Sequence, residues 1–155
     1  MKLRFVWVGK TRSAALRELV GEYFKRLGRF AQLEVTEVKD ASSPGFNTGA
    51  VVETEGERIL AATKSDPFVI LLDETGRELS STGLAALLDE HMGRGTKQLT
   101  FVIGGHAGSS GAVKKRADMV LALSKMTFTH EIARALVAEQ VYRAFTIINN
   151  FPYQK

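Results

Sequence analysis

The stretch PFVILLD, residues 67–73, decides the fold of this chain. Behind Pro67 it is an almost unbroken apolar run, which is typical of a strand buried on both faces of a parallel sheet. LTFVI, residues 99–103, is a second run of this kind. Helical patterns separate the strands, and strands that alternate with helices indicate an α/β fold, with a mostly parallel sheet flanked by helices.

The periodicity of the apolar residues predicts five strands and five helices. The predicted strands are 3–8, 33–38, 68–73, 99–103 and 119–123. The predicted helices are one capped by Ser13 and ending near 27, one over 50–62, one capped by Ser81 or Thr82 and ending near 91, one over 110–117 and one over 130–148.

Two further segments are predicted to lie outside regular structure. ETGRE, residues 74–78, is predicted to be a turn, and DASSPGFNTG, residues 40–49, a mobile loop. The sequence contains no internal repeat and no composition shift, so residues 1–155 are predicted to form one domain.

The composition is that of a soluble domain. The chain has 155 residues, of which 45% are hydrophobic and 25% charged, and this length is sufficient to bury a core. No apolar run approaches the roughly 20 residues of a membrane-spanning helix, so no membrane association is expected. The absence of cysteine excludes disulfides and thiolate metal sites, and it fits the reducing cytoplasm, where we expect the protein to act.

Positive charge is concentrated at the amino-terminal end. The whole chain carries a net charge of +4, whereas residues 1–30 contain eight basic and two acidic residues. A basic end on a slightly acidic body suggests a polyanionic partner such as nucleic acid. A solvated basic face is the alternative, and charge alone does not decide between them.

FVIGGHAG, residues 101–108, places a glycine-rich turn after a buried strand. The spacing is GGxxG after the fourth predicted strand, whereas the dinucleotide fingerprint is GxGxxG after the first strand of its unit. A purely structural turn and a ligand cradle therefore both remain open. The loops that end VILLDETG and LALSKMTF are predicted to lie at the same edge of the sheet as this turn. A cleft built mainly from the backbone of such loops suits a neutral or zwitterionic adenosyl ligand better than a pyrophosphate.

The polar residues give no strong independent motif. The three histidines are His91, His106 and His130, and none lies four residues from another, so no metal site is predicted. We interpret His106 as an exposed loop residue, and we expect the positive end of the last helix to lower the pKa of His130. Arg134, on the last helix, is expected to extend to solvent or to pair within a cleft or dimer interface.

The carboxyl-terminal third carries a specific resemblance. FVIGGHAG followed by LALSKMTFTHEIARALVAEQVYRAFTIINNFPYQK, residues 121–155, resembles the SPOUT methyltransferases, which have a trefoil knot, and more narrowly the ribosomal RNA large subunit methyltransferase H family. The start MKLRFVWVGK and the central LLDETGRELSS are similar as well, so the resemblance covers the whole chain.

The resemblance implies a fold, a cofactor and a substrate. It implies a C-terminal trefoil knot, S-adenosylmethionine as cofactor, and methylation of N3 of the pseudouridine at position 1915 of 23S rRNA within the ribosome. It also implies a homodimer whose RNA site is made by both subunits. The S-adenosylmethionine positions of the family fall on Leu72, Gly104, Leu123, Ser124, Lys125, Met126, Thr127 and Phe128.

The same resemblance suggests substrate-side residues. His130 and Arg134 match family positions at the start of the last helix and are proposed as catalytic residues, although the general base stays open. In the tail, Tyr153 and Lys155 match positions proposed to bind substrate. Phe151 and Gln154 stand where histidines are usual.

Two other functions remain as alternatives. The altered tail favours an RNA-binding protein that keeps the fold and the S-adenosylmethionine site but has weak or altered methyltransferase activity. A nicotinamide-dependent enzyme is disfavoured by the position and spacing of the glycine motif.

Overall fold

The computed structural model describes residues 1–42, 45 and 47–153. Strands and helices alternate along these residues, as the sequence predicts. In chain order the elements are β1 (Lys2–Val8), α1 (Ala14–Leu27), β2 (Gln32–Val38), α2 (Thr48–Thr63), β3 (Val69–Glu78), α3 (Ser81–Gly93), β4 (Gln98–Ile103), α4 (Gly111–Arg116), β5 (Met119–Ala122) and α5 (His130–Ile148).

The five strands form one sheet in the order β2-β1-β4-β3-β5. All four neighbouring pairs are parallel, so the carboxyl ends of the strands lie along one edge, here called the carboxyl edge. The predicted α/β architecture with a mostly parallel sheet is confirmed. The trefoil knot stays a prediction.

Both faces of the sheet are covered by helices. Along β1, Leu3, Phe5 and Trp7 belong to a core that includes residues of α1, α3 and α5. The intervening Val6 and Val8 belong to a second core with residues of α2 and α4. Because successive strand residues point to opposite faces, an apolar run such as FVWV is what a sheet buried on both sides requires.

Helix caps agree with most of the predicted boundaries. The side chains of Ser13 and Ser110 accept hydrogen bonds from the backbone N–H groups of Leu16 and Val113, and α5 begins and ends where predicted. The predicted cap of α3 is wrong by one residue, because Ser80 accepts from the N–H of Gly83 at 3.0 Å. Helix α2 begins two residues before its predicted start, because Asn47 caps it.

The predicted turn over residues 74–78 is a continuation of β3. Leu72 and Arg77 both pair with Leu121, so the residues between them form a bulge in the strand. Gly76 makes this possible, since a Cβ there would lie 2.6 Å from the carbonyl carbon of Val120. Of the predicted loop 40–49, Ser43, Pro44 and Phe46 lie outside the described residues.

A buried ionic network joins the amino ends of the strands. Arg4 on β1 donates to both carboxylate oxygens of Asp66 at 2.9 Å, and the Thr100 hydroxyl of β4 donates to the same carboxylate at 2.8 Å. The side chains of Arg4 and Asp66 are 14% and 4% exposed. This carboxylate therefore links three segments that are distant in sequence.

We expect Asp66→Ala to lower the free energy of unfolding by about 1.5–3 kcal/mol, because the Arg4 guanidinium and the Thr100 hydroxyl lose their buried acceptor while Glu34 still pairs with Arg4 at 2.8 Å. Urea denaturation followed by circular dichroism measures the change. Asp89→Ala is the matched control, because Asp89 is exposed on α3, and it should change stability by less than about 0.5 kcal/mol. Equal effects of the two variants would contradict the proposed role of the network.

Candidate active site

Two clefts lie side by side along the carboxyl edge. The β3–β5 cleft, of about 840 Å³, is formed by residues 72–75 of β3 and the segments that follow β4 and β5, together with the start of α5. The β1–β2 cleft, of about 810 Å³, is formed by the segments that follow β1 and β2. Both volumes fall within the roughly 300–1,000 Å³ of clefts that bind small molecules.

The glycine-rich turn forms one wall of the β3–β5 cleft. The N–H of Gly108 donates to the carbonyl of Gly105 at 3.1 Å, and Gly108 has a φ of +90°, which favours glycine. A Cβ on Gly104 would lie 2.6 Å from Ser109 Oγ and 3.0 Å from the Gly108 carbonyl oxygen. The turn is thus closed on itself, and no side chain at position 104 separates its backbone from the cleft.

Most of the residues that the resemblance assigns to the cofactor lie around this one cleft. Seven of the eight line it, namely Leu72, Gly104, Leu123, Ser124, Met126, Thr127 and Phe128. Lys125 is exposed in the same loop but does not line the cleft. The structure brings these seven together from β3 and from the loops after β4 and β5, while their role in binding stays a prediction.

A charged pair also lines the β3–β5 cleft. Lys114 Nζ of α4 lies 2.9 Å from Asp73 Oδ2, and Asp73 also accepts from the N–H of Thr75 at 3.0 Å. Burial by itself would raise the pKa of Asp73, but the hydrogen bonds from Thr75 and Lys114 outweigh it and lower the pKa. Asp73 is therefore ionised and paired at neutral pH.

Two histidines, His106 and His130, line both clefts. His130 is the first residue of α5, and its pKa is lowered, as expected. The main causes are burial and then the nearby positive charge of Arg134. His106 is exposed, as predicted, and its Nδ1 lies 3.3 Å from Ser42 Oγ.

Arg134 does not extend to solvent, so that expectation is wrong. The residue is 1% exposed and lines neither cleft. Its guanidinium donates to Thr11 Oγ1 at 2.8 Å and to the carbonyl of Val8 at 2.5 Å, and it lies 5.1 Å from the ring centre of Trp7. Arg134 thereby binds α5 to the end of β1 and the segment after it.

Glu131 makes a second link to the same segment. Its two carboxylate oxygens accept the backbone N–H groups of Arg12 and Ser13, each at 3.0 Å, and these hydrogen bonds lower the pKa of Glu131. With Arg134, it fixes the segment between β1 and α1 against the first turn of α5. No local sequence pattern predicts this contact, because the partners are more than 100 residues apart.

Glu55 is a buried acid that sequence reasoning missed. It is 1% exposed, its Oε1 accepts from the N–H of Ala41 at 3.0 Å, and its Oε2 has no hydrogen-bond partner. A Cβ on Gly105 would collide with that oxygen. Burial, followed by the negative charge of Asp40, raises the pKa of Glu55.

A sequence signal for Glu55 was available. It shares a spacing of four residues with Val51 and Ile59, which are buried on α2. An acid at that position of an apolar stripe indicates a buried carboxyl group. In the structure, Glu55 joins the segment after β2 to the glycine-rich turn, and hence one wall of each cleft.

Tyr153 packs on its own chain, and residues 149–153 line neither cleft. The Tyr153 hydroxyl is 3.2 Å from the Tyr23 hydroxyl and 3.3 Å from Glu139 Oε1, and its ring lies 4.8 Å from the guanidinium carbon of Arg143. Burial and the hydrogen bond with Tyr23 raise the pKa of Tyr153. Lys155 and Gln154 lie outside the described residues, and Phe151 is 54% exposed.

Within the described residues, no three histidine or acidic side chains are grouped so that they could hold a metal ion. Nor does any helix in that part of the chain combine the length and apolar character needed to cross a membrane.

Comparison with known proteins extends over nearly the whole chain. A family profile described as "Predicted SPOUT methyltransferase" matches residues 1–154. The protein called ribosomal RNA large subunit methyltransferase H of Trichlorobacter lovleyi is 43% identical, with 99% of each chain covered. The protein of the same name from Ruminiclostridium cellulolyticum is 42% identical over the full length of both chains.

Solved structures agree at the level of the fold. A probable methyltransferase from Bordetella pertussis has a TM-score of 0.57 at 15% identity, with 92% of this chain and 95% of that chain covered. The tRNA (m1G37) methyltransferase of Aquifex aeolicus has a TM-score of 0.53 at 18% identity, with 92% of this chain and 70% of that chain covered.

The raised pKa of Glu55 predicts a pH-dependent stability difference. The folded protein retains this proton to a higher pH than the unfolded chain, so stability falls as the pH rises from about 4.5 through the raised pKa. Glu55→Gln removes this titration and keeps an acceptor for Ala41. We therefore expect the stability of Glu55→Gln relative to wild type to increase between pH 5 and pH 8 in urea denaturation.

Glu55→Ala is the control for loss of packing. It creates a cavity and leaves the Ala41 N–H unpaired, so its stability should lie roughly 2–4 kcal/mol below that of Glu55→Gln at every pH, because neither variant carries the titrating group. A difference between wild type and Glu55→Gln that stays constant over the pH range would contradict the raised pKa of Glu55.

Proposed function

The chain belongs to the SPOUT methyltransferase family, and from that premise we propose that it methylates N3 of the pseudouridine at position 1915 of 23S rRNA. Relatives at 42–43% identity, named ribosomal RNA large subunit methyltransferase H, support this choice of substrate. The observation that carries the proposal is the convergence of seven predicted cofactor residues on the β3–β5 cleft. We infer that residues 1–155 act as one domain and that the enzyme works in the cytoplasm, where ribosomes are.

SPOUT methyltransferases use S-adenosylmethionine. The β3–β5 cleft fits this molecule, because Leu72, Leu123 and Ala133 give it apolar walls and Gly104 contributes backbone without a side chain to its lining. An adenine ring is held well by such apolar surfaces with a few backbone hydrogen bonds. Leu72, Gly104 and the loop of residues 123–128 would hold the cofactor, with Lys125 exposed at the surface of that loop.

The bound cofactor supplies an electrophilic methyl group on a sulfonium. The remaining work of the protein is to align the acceptor nitrogen and to remove its proton. We propose that His130 removes this proton. His130 lines both clefts, and its lowered pKa keeps the imidazole neutral and able to accept a proton. Arg134 acts as a positioning residue, since its guanidinium is bonded to Val8 and Thr11.

The buried charge of Arg134 has a second consequence. In the described part of the chain no carboxylate lies within ion-pair distance of its guanidinium. Such a cation disfavours protonation of a neighbouring imidazole and favours a neighbouring anion. It thus supports both the neutral state of His130 and the imide anion of the acceptor base.

Exposed apolar side chains support a homodimer. Met126, Phe128 and Ile132 are 72%, 41% and 40% exposed, and they follow one another through the loop before α5 and into its first turn. Large apolar side chains grouped in this way mark interaction sites on soluble proteins. We propose that a second copy covers them and that both subunits contribute to the RNA site.

The tail is proposed to contribute to substrate binding. Tyr153 is held by Tyr23 and Glu139 of its own chain, so its role is to place the end of the chain. The contact with RNA then falls to Lys155, a cation suited to phosphate.

Incubation with tritiated S-adenosylmethionine and ribosomes that lack the modification tests the proposed function. We expect label at the N3 position of pseudouridine 1915, located by primer extension and nucleoside analysis. Tight binding of S-adenosylmethionine without transfer would instead favour an RNA-binding protein with weak or altered activity. Binding of NADH in place of S-adenosylmethionine would refute both assignments.

Gly104→Ala tests the cofactor cleft. We expect the affinity for S-adenosylmethionine, measured by calorimetry, to fall at least about tenfold, because the added Cβ displaces Ser109 and the glycine-rich turn. Gly93→Ala is the matched control, since a Cβ there meets nothing within 4 Å, and its affinity should not change. Unchanged affinity of Gly104→Ala would contradict the placement.

His130→Gln tests the proton acceptor. We expect kcat to fall roughly 10²- to 10⁴-fold. In the wild type, kcat should rise with pH through the lowered pKa of His130, below 6.5, and level off near neutrality. The kcat of the variant should not show this rise. His106→Gln is the control, because His106 lines the same two clefts. Full activity of His130→Gln together with a large loss for His106→Gln would make His106 the proton acceptor instead.

A further inference from the structure

The β1–β2 cleft has no role in holding the cofactor, yet it adjoins the cleft that does. Strand β1 lies directly beside β4 in the sheet, so the two clefts are neighbours along the carboxyl edge. His106 and His130 line both of them, and no other described residue does. The boundary between the clefts is therefore made of two imidazoles.

Methyl transfer requires the acceptor atom to lie within about 3–3.5 Å of the methyl group. The acceptor must then occupy a space that opens directly onto the cofactor. We propose that the β1–β2 cleft binds the acceptor nucleotide, with the base against Val8 and Val38 and the adjoining phosphates on Lys10 and Lys39. This inference rests on the proposed function and adds a site for its RNA substrate.

The charges of the cleft fit a phosphodiester. Lys10 and Lys39 are exposed, and within the described residues no carboxylate lies within 4 Å of either ammonium group. Arg12, also in the lining, has a side chain that is 85% exposed and lies 3.9 Å from Asp40. These cations are available to an anion from outside the protein.

The acids of the same cleft are largely committed to the protein itself. Glu131 accepts two backbone N–H groups, and Asp40 accepts the N–H of Ser42 at 2.6 Å. The hydrogen bonds from Ser42 lower the pKa of Asp40. Glu37 is the remaining carboxylate of the lining, which also contains Lys10, Arg12 and Lys39.

Side-chain hydrogen bonds hold both walls of the cleft in place. On the β1 side, Arg134 and Glu131 bond to the segment between β1 and α1. On the β2 side, Glu55 accepts the N–H of Ala41. The cleft is thus formed before substrate arrives, which reduces the cost of ordering it on binding.

The double variant Lys10→Ala/Lys39→Ala tests the inference. The matched control is Lys64→Ala/Lys97→Ala, which removes the same charge from two exposed lysines at the amino ends of β3 and β4. The measurements are kcat and KM for unmodified ribosomes, the salt dependence of RNA binding, and S-adenosylmethionine affinity by calorimetry.

We expect the test variant to raise KM for ribosomes about tenfold and to reduce the salt slope of RNA binding by about two, one for each lost phosphate contact. Its S-adenosylmethionine affinity should match that of wild type, and the control should stay within about twofold of wild type in KM.

Different failures have different meanings. Transfer by the wild type with the same KM and salt slope for test and control variants would overturn the inference and leave the proposed function intact. A loss of S-adenosylmethionine affinity in the test variant would overturn it too, because the cleft would then belong to the cofactor. No transfer by the wild type would overturn both the function and the inference.

Discussion

The arrangement of the candidate site depends on the buried guanidinium of Arg134. Its hydrogen bonds to Val8 and Thr11 join the first turn of α5 to the end of β1, across more than 120 residues of sequence. Burial of an unpaired cation is costly, so the surrounding carbonyl, hydroxyl and indole ring must all be in place to compensate it. With Glu131, this contact places His130 between the two clefts.

The two clefts follow from the parallel sheet and from the order of its strands. Parallel strands bring all their carboxyl ends to one edge, and ligands of open α/β sheets bind there. Because β1 and β4 are neighbours, the segments after β1 and β2 form a second cleft beside the one formed by β3 and by the segments after β4 and β5. Glu55, on α2, connects the walls of both clefts. It accepts the N–H of Ala41 in the segment after β2, and its carboxyl group lies against Gly105 in the glycine-rich turn.

Much of this could be predicted from local patterns. Apolar runs such as 99–103 marked the strands, and side-chain caps such as Ser13 marked the helix starts, because both signals act over a few residues. The continuation of β3 beyond Asp73 could not be predicted, since it depends on the close approach of Gly76 to Val120. The resemblance of residues 121–155 assigned most of the cofactor cleft, whereas Glu55 and the link through Glu131 were missed.

The sequence by itself determined the α/β class, the order of the elements and the family, because apolar periodicity and long motifs are properties of contiguous residues. Only the tertiary structure decided that Arg134 is buried rather than solvated, that Glu55 is an acid held between two loops, and that His130 adjoins two clefts. Each of these depends on groups that are far apart along the chain. Burial and distance, which set their pKa values and hydrogen bonds, exist only once the chain has folded.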